Sequence, residues 1–234
     1  KLWSVTSGRR LRTLKAHTGV VLSVAFDSTG TRVLTCSGDK TARIWNASSG
    51  KELLKLQGHT GWVISGAFGP PGGILLTGSN DRTAKIWDAE SGDLLRTLSE
   101  HDAALLSVAV SPDGRWLLTT AGDNSTRLWD ALSGNELRDL RGHEGWVVAS
   151  TFSADSTMLI SGSHDNTARL WSTPAGKRLR RLEGHFGDVL AVASSPDGSL
   201  VLTGSRDGYA TVWDAETGAP LRHWRDPRGD PIVA

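Results

Sequence analysis

Short apolar runs rich in Leu, Val and Ile alternate with turn residues along the whole chain, with a turn at roughly every eight to twelve positions. Between residues 62 and 98 this pattern predicts a strand over Trp62 to Phe68, a turn at Gly69-Pro70-Pro71-Gly72-Gly73 and a strand over Ile74 to Ser79. A tight turn at Asn80-Asp81 follows, then a strand over Thr83 to Trp87, a turn at Glu90-Ser91-Gly92 and a strand over Leu94 to Leu98. The runs are too short for helices, and Gly, Pro, Asn and Asp cluster between them, as between strands. Four consecutive strands joined by tight turns make one small antiparallel sheet.

The same unit recurs with a fixed step of 42 residues: Trp stands at 3, 45, 87, 129, 171 and 213, and His at 17, 59, 101, 143 and 185. Asp follows at 39, 81, 123, 165 and 207. The turns Ser7-Gly8, Ser49-Gly50, Ser91-Gly92, Ser133-Gly134, Ala175-Gly176 and Thr217-Gly218 keep the same register. A sheet of four short strands cannot bury both faces alone, so units of this length stack face to face and build a propeller or solenoid. The predicted fold is all-β: a β-propeller of four-stranded antiparallel blades in a single domain over 1–234. Five full blades are expected at 16–57, 58–99, 100–141, 142–183 and 184–225, with the end of one blade at 1–15 and the start of another at 226–234.

Two strands of the unit have their own signatures. Alternate first-strand positions are small in every blade: Ser23 and Ala25, Ser65 and Ala67, Ser107 and Ala109, Ala149 and Thr151, Ala191 and Ala193. Such residues suit inner strands crowded toward a common axis. The fourth strand mixes leucines with charges such as Arg10, Lys51, Arg96, Arg138 and Arg180, which protect an outer edge from pairing with other chains. The basic run Lys177-Arg178-Leu179-Arg180-Arg181 lies on such an edge and is assigned to guarding it rather than to holding phosphate.

Composition narrows the function. The 234 residues hold 26 Lys and Arg against 25 Asp and Glu, so no net field favours nucleic acid or an anionic membrane. The one cysteine, Cys36, excludes an internal disulfide framework. It stands in a strand without a basic neighbour and reads as a small buried residue. No signal peptide or long apolar stretch is evident, which points to a cytoplasmic location. Ten Trp against one Tyr and four Phe follow largely from the repeat.

The residues at the repeat markers resemble those of the WD40 repeat family. Gly58-His59, Gly142-His143 and Gly184-His185 match its Gly-His pair, while Ala16-His17 and Glu100-His101 keep the His alone. Trp87-Asp88, Trp129-Asp130 and Trp213-Asp214 match its Trp-Asp pair, whereas Trp45-Asn46 and Trp171-Ser172 keep the Trp alone. Ser111-Pro112-Asp113-Gly114 and Ser195-Pro196-Asp197-Gly198 match its turn between the first two strands. The resemblance implies a hydrogen-bonded chain of His, Asp, a second-strand hydroxyl and Trp in each blade. Those sets are His17, Thr35, Asp39 and Trp45; His59, Thr77, Asp81 and Trp87; and His101, Thr119, Asp123 and Trp129. The remaining two are His143, Ser161, Asp165 and Trp171, then His185, Thr203, Asp207 and Trp213.

A hydroxyl, a His and an Asp also compose a hydrolytic triad, but five copies fit a brace repeated in every blade better than a single catalytic centre. No residue is therefore assigned a catalytic role. The evenly spaced His are too far apart around a ring to converge on a metal ion, and no cofactor motif is present.

The resemblance places partner binding on the face that carries the His and Asp turns. The residues it puts there are Trp62, Ile64 and Asn80 in the second unit, Trp146, Val148 and His164 in the fourth, and Phe186, Leu190 and Arg206 in the fifth. Val20, Leu22, Ala104, Leu106 and Asp188 hold the corresponding places elsewhere. Two Trp outside the structural series suit a protein contact, since aromatic residues and Arg dominate such surfaces; the alternative is that they seal the hub. Trp116 follows an opposite-face turn and is expected to pack locally.

The expected function is a non-catalytic interaction scaffold or regulatory module that binds a protein or another domain of its own chain, inside a larger signalling or defence protein. Because the outermost blades are partial and the family usually has seven, the chain is expected to be part of a seven-bladed or six-bladed ring. The alternative is a homo-oligomer whose partial blades complete each other, and a hydrolase has the least support.

Overall fold

Strands form where the apolar runs stand. The computed structural model describes residues 1–71 and 73–233; Gly72 of the expected turn and Ala234 lie outside the described residues. Blade two consists of Val63–Phe68, Ile74–Ser79, Ala84–Asp88 and Leu94–Leu98, each paired antiparallel with its neighbour in sequence. Trp62 and Thr83 fall just outside the strands because their carbonyls accept the closing turn bonds from Asn80 and Ser79. Blades one, three, four and five repeat this order, and Leu2–Trp3 pairs with Arg10–Arg12 in a two-stranded sheet before blade one. There is no helix among the described residues. The fold is an all-β array of propeller blades.

The apolar cores lie between blades, not within them. Leu34, Ile44 and Leu56 of blade one pack with Val63, Leu75 and Trp87 of blade two. Leu76, Ile86 and Leu98 pack in the same way with Leu105, Leu117 and Trp129, and the next two blade pairs repeat the arrangement. The strand-three Trp of blades two to five thus covers the preceding blade, and burying one large side chain in this way is worth about 2–3 kcal/mol. Trp116 packs against the core between blades three and four, as a local role requires.

Near the axis, neighbouring blades match by size. A Cβ on Gly66 would stand 2.6 Å from Cys36 Sγ, and a Cβ on Gly78 would stand 2.6 Å from a Val108 methyl. The larger residue is on the earlier blade at one interface and on the later blade at the other. Cys36 is fully buried, which pushes its thiol up to about 12 and keeps it unreactive at neutral pH. First-strand hydroxyls add bonds between blades: Ser65 accepts from the Val108 N–H at 3.2 Å, and Ser107 lies 2.9 Å from Ser150.

Two features differ from a simple reading of the repeat. The fourth-strand arginines also tie blades together, since Arg96 donates to the Leu132 carbonyl at 2.9 Å and Arg138 to the Ala175 carbonyl at 3.1 Å. Residues 226–233 form no strand. Pro231 removes a ladder donor, and Ile232 lies over Gly204 much as Val189 and Val192 lie over Gly162.

Candidate functional site

A buried indole N–H can only donate and a carboxylate can only accept, so with a neutral imidazole between them the two ends of each chain set the direction of every bond. Trp87 Nε1 donates to Thr77 Oγ1 at 2.8 Å, so the Thr77 hydroxyl proton is free for His59 Nε2, also at 2.8 Å. Nε2 then carries no proton, and Nδ1 donates to Asp81 at 2.9 Å. The same chain joins Trp45, Thr35, His17 and Asp39, and Trp129, Thr119, His101 and Asp123. It joins Trp171, Ser161, His143 and Asp165, and Trp213, Thr203, His185 and Asp207 in turn. The first strand thereby hangs from the second and third through side chains, and the turn that holds His is tied to the turn that holds Asp.

A second hydroxyl takes part that the sequence reasoning missed. Thr41, Thr83, Ser125 and Thr167, each two residues after the turn Asp, donate to its other oxygen at 2.6 Å. Their own 42-residue spacing was the available signal. Blade five breaks it with Tyr209, which donates to Asp207 through its backbone N–H. Burial by itself would raise these carboxyls, but donors outweigh it: Thr83, the Thr60 N–H and His59 hold Asp81 far below the usual carboxylate range. Asp39, Asp123 and Asp165 are lowered in the same way, and Asp207 is lowered too. Burial lowers His59 and His143 despite the adjacent carboxylates, which keeps both imidazoles neutral.

Five such units stand in register along the chain. The WD domain, G-beta repeat family matches residues 8–46, 50–88, 92–130, 134–172 and 176–214. The chain belongs to the WD40 repeat family. No curated protein matches it. Each matched WD40 unit runs from the last strand of one sheet through the first three strands of the next, so the sequence repeat and the structural blade are offset by one strand. WD40 repeats generally mediate protein–protein interaction, and the family is typically non-catalytic.

Above the brace, the WD40 blades differ from one another. Every first strand slips by one residue against the second, between Val63 and Ser65 in blade two, between Val147 and Ala149 in blade four and between Val189 and Ala191 in blade five. Ile64, Val148 and Leu190 are therefore bulge residues, aimed differently from the ladder on either side. All three are half-buried. Trp62 is 49% exposed and Trp146 54%. Each lies across the preceding blade, over Gly38 and Gly122 respectively, where a Cβ would stand 3.6 and 3.8 Å from the ring.

The structure joins some of the expected rim residues and separates others. His164 stacks on Trp146 at 5.6 Å, its Nε2 lies 3.9 Å from Asp188, and Asp188 accepts from Arg206 at 3.0 Å. Trp146, His164 and Arg206 thus form one strip across blades four and five. Asn80 is exposed, with its N–H donating to the Trp62 carbonyl. Trp62 and Trp146 sit two blades apart. Phe186, 92% exposed, lines a recess with Tyr209 and His223 instead of the bulged strand. Among the described residues, no three His, Cys, Asp or Glu side chains could hold a metal ion, and no helix is long and apolar enough to cross a membrane.

Proposed function

We propose that the chain is a non-catalytic scaffold that contacts a protein, or another domain of its own chain, through the rim centred on Trp62 and Trp146. One observation carries this reading. Both indoles rest on a glycine of the neighbouring blade yet leave about half their surface open. Large aromatic residues held in place and still exposed are the usual anchors of protein interfaces. Sealing the hub would bury them, and the same position is Val20, Ala104 and Asp188 in the other blades.

The candidate hydrolytic hydroxyls support the non-catalytic part. Thr77, Thr119, Ser161 and Thr203 are fully buried, and each oxygen already accepts a Trp N–H. A nucleophile so placed reaches no substrate. The roughly balanced charge argues against nucleic acid or an anionic membrane as partner, and the single buried cysteine suits a cytoplasmic setting. Attachment to signalling or defence domains rests on the resemblance of regular repeats alone.

The test is the double variant W62A/W146A. It should keep the wild-type melting temperature within a few degrees and lose partner capture; a collapse of the fold would assign both rings to the core. A second reading, self-assembly, is favoured by Val21, Val24 and Phe26, which are 53%, 63% and 56% exposed on one inner strand. Further blades or a second copy would cover them, and the mass of the chain in solution separates the two.

A further inference from the structure

Four of the five blades carry a long basic side chain at one third-strand position: Arg43, Lys85, Arg127 and Arg169, none more than 8% exposed. In blade two the Lys85 stem runs beneath Gly58, and in blade four the Arg169 guanidinium fills the space beneath Gly142, 3.8 Å from Asp165. Blade five has Thr211 there, and among the described residues only the Trp213 ring comes near Gly184. The unfilled space is a cavity of about 330 Å³.

The surroundings have changed with the missing cation. Phe186 and Tyr209 stand where blade four has Glu144 and Thr167, and His223, where blade four has Arg181, lies 3.0 Å from the Thr211 hydroxyl. Asp165 Oδ1 accepts from both the N–H and the hydroxyl of Thr167, whereas Asp207 Oδ1 accepts only the Tyr209 N–H among the described residues. The recess is therefore lined by a carboxylate with a free acceptor position and by two aromatic side chains. Carboxylates and aromatic faces both attract a guanidinium, and the Tyr209 ring already has Arg225 over it at 5.8 Å. Thr211 lies on the same strand face as Trp213, which packs against Ile160 and Leu170, so the recess is on the face of blade five that turns toward blade four.

We propose that this recess binds an arginine side chain of a protein partner, which enters the place that Arg169 fills in blade four. The proposal rests on the protein-binding reading only in taking its ligand from a protein; the site itself is independent of Trp62 and Trp146.

Tyr209 is the one tyrosine of the chain, so a ring-labelled tyrosine gives a single NMR reporter inside the recess. N-acetyl-arginine methylamide should shift that signal saturably, the lysine counterpart more weakly and the glutamate counterpart not at all. Thr211→Arg, which fills the recess from within as in blade four, should weaken the arginine response about tenfold or more. Should that variant not fold, Phe186→Ala decides, because its side chain is almost fully exposed and its loss should also weaken the response. W62A/W146A should leave the titration unchanged, so failure of the rim reading and failure of this one are distinct. Absence of a saturable arginine shift, an equal glutamate shift, or an undiminished response in both recess variants would overturn the proposal.

Discussion

His59 and Trp62 lie three residues apart on one turn and answer to different demands. His59 is buried with both ring nitrogens committed, and its counterpart is present in all five blades. Trp62 is half exposed, has a counterpart in one other blade, and rests on a glycine of its neighbour. Buried polar atoms impose the same requirement wherever they occur, so the brace repeats without change. Nothing of that kind constrains the rim, where blades can diverge and acquire a partner. Blade five shows the boundary between the two regimes: its brace is complete, while Tyr209 and Thr211 replace the outer hydroxyl and the basic side chain.

Acid should break the brace most thoroughly. The folded values of Asp39, Asp81, Asp123 and Asp165 lie below their ordinary 3.8, so below that pH the unfolded chain binds more protons and stability is lost. His59 and His143 are lowered from 6.5, so an earlier and shallower decline should begin below that pH. Urea unfolding followed by Trp fluorescence from pH 8 to pH 3 should trace both limbs; a midpoint that does not move between pH 7 and pH 4 would contradict the brace.

Thr77→Val comes next, because it leaves the Trp87 N–H and His59 Nε2 unpaired at once, at a cost of about 3 kcal/mol in urea unfolding. Thr203→Val should cost the same in blade five, whose brace is unaltered. At the hub, Gly66→Val should cost about 1–3 kcal/mol through its clash with Cys36, and Cys36→Gly should recover part of it. Additive losses in that double-mutant cycle would mean that the two sites do not meet. Thr83→Val removes one bond to Asp81 and should cost about 1 kcal/mol, whereas Tyr209→Phe should change stability by less than about 0.5 kcal/mol. The rim pair W62A/W146A should move the melting temperature by no more than a few degrees while having the largest effect on binding, read by melting temperature against partner capture.

Much of the fold was legible because the period of 42 survives without insertion, so every turn and strand is sampled five times. The strand ends in blade two fell within a residue of expectation, and the missed ones are those drawn into turn hydrogen bonds. The bulge in each first strand was not legible, since it lies at the second of six residues and leaves too short a run before it to show a break in alternation, yet it aims Ile64, Val148 and Leu190. The strip from Trp146 through His164 and Asp188 to Arg206 was legible only as separate residues, because its links cross between blades.

Periodicity by itself determined the four-stranded unit and singled out the recurring His, Asp and Trp, and the resemblance of those residues to the WD40 repeats supplied the family and the brace, because local turn chemistry and buried polar pairs leave the same mark in every copy. Tertiary structure alone decided which blade supplies the large partner at each hub contact and that blade five has a cavity where its sisters hold a cation. Those features depend on which side chains meet across an interface, and a sequence states neighbours along the chain but not across it.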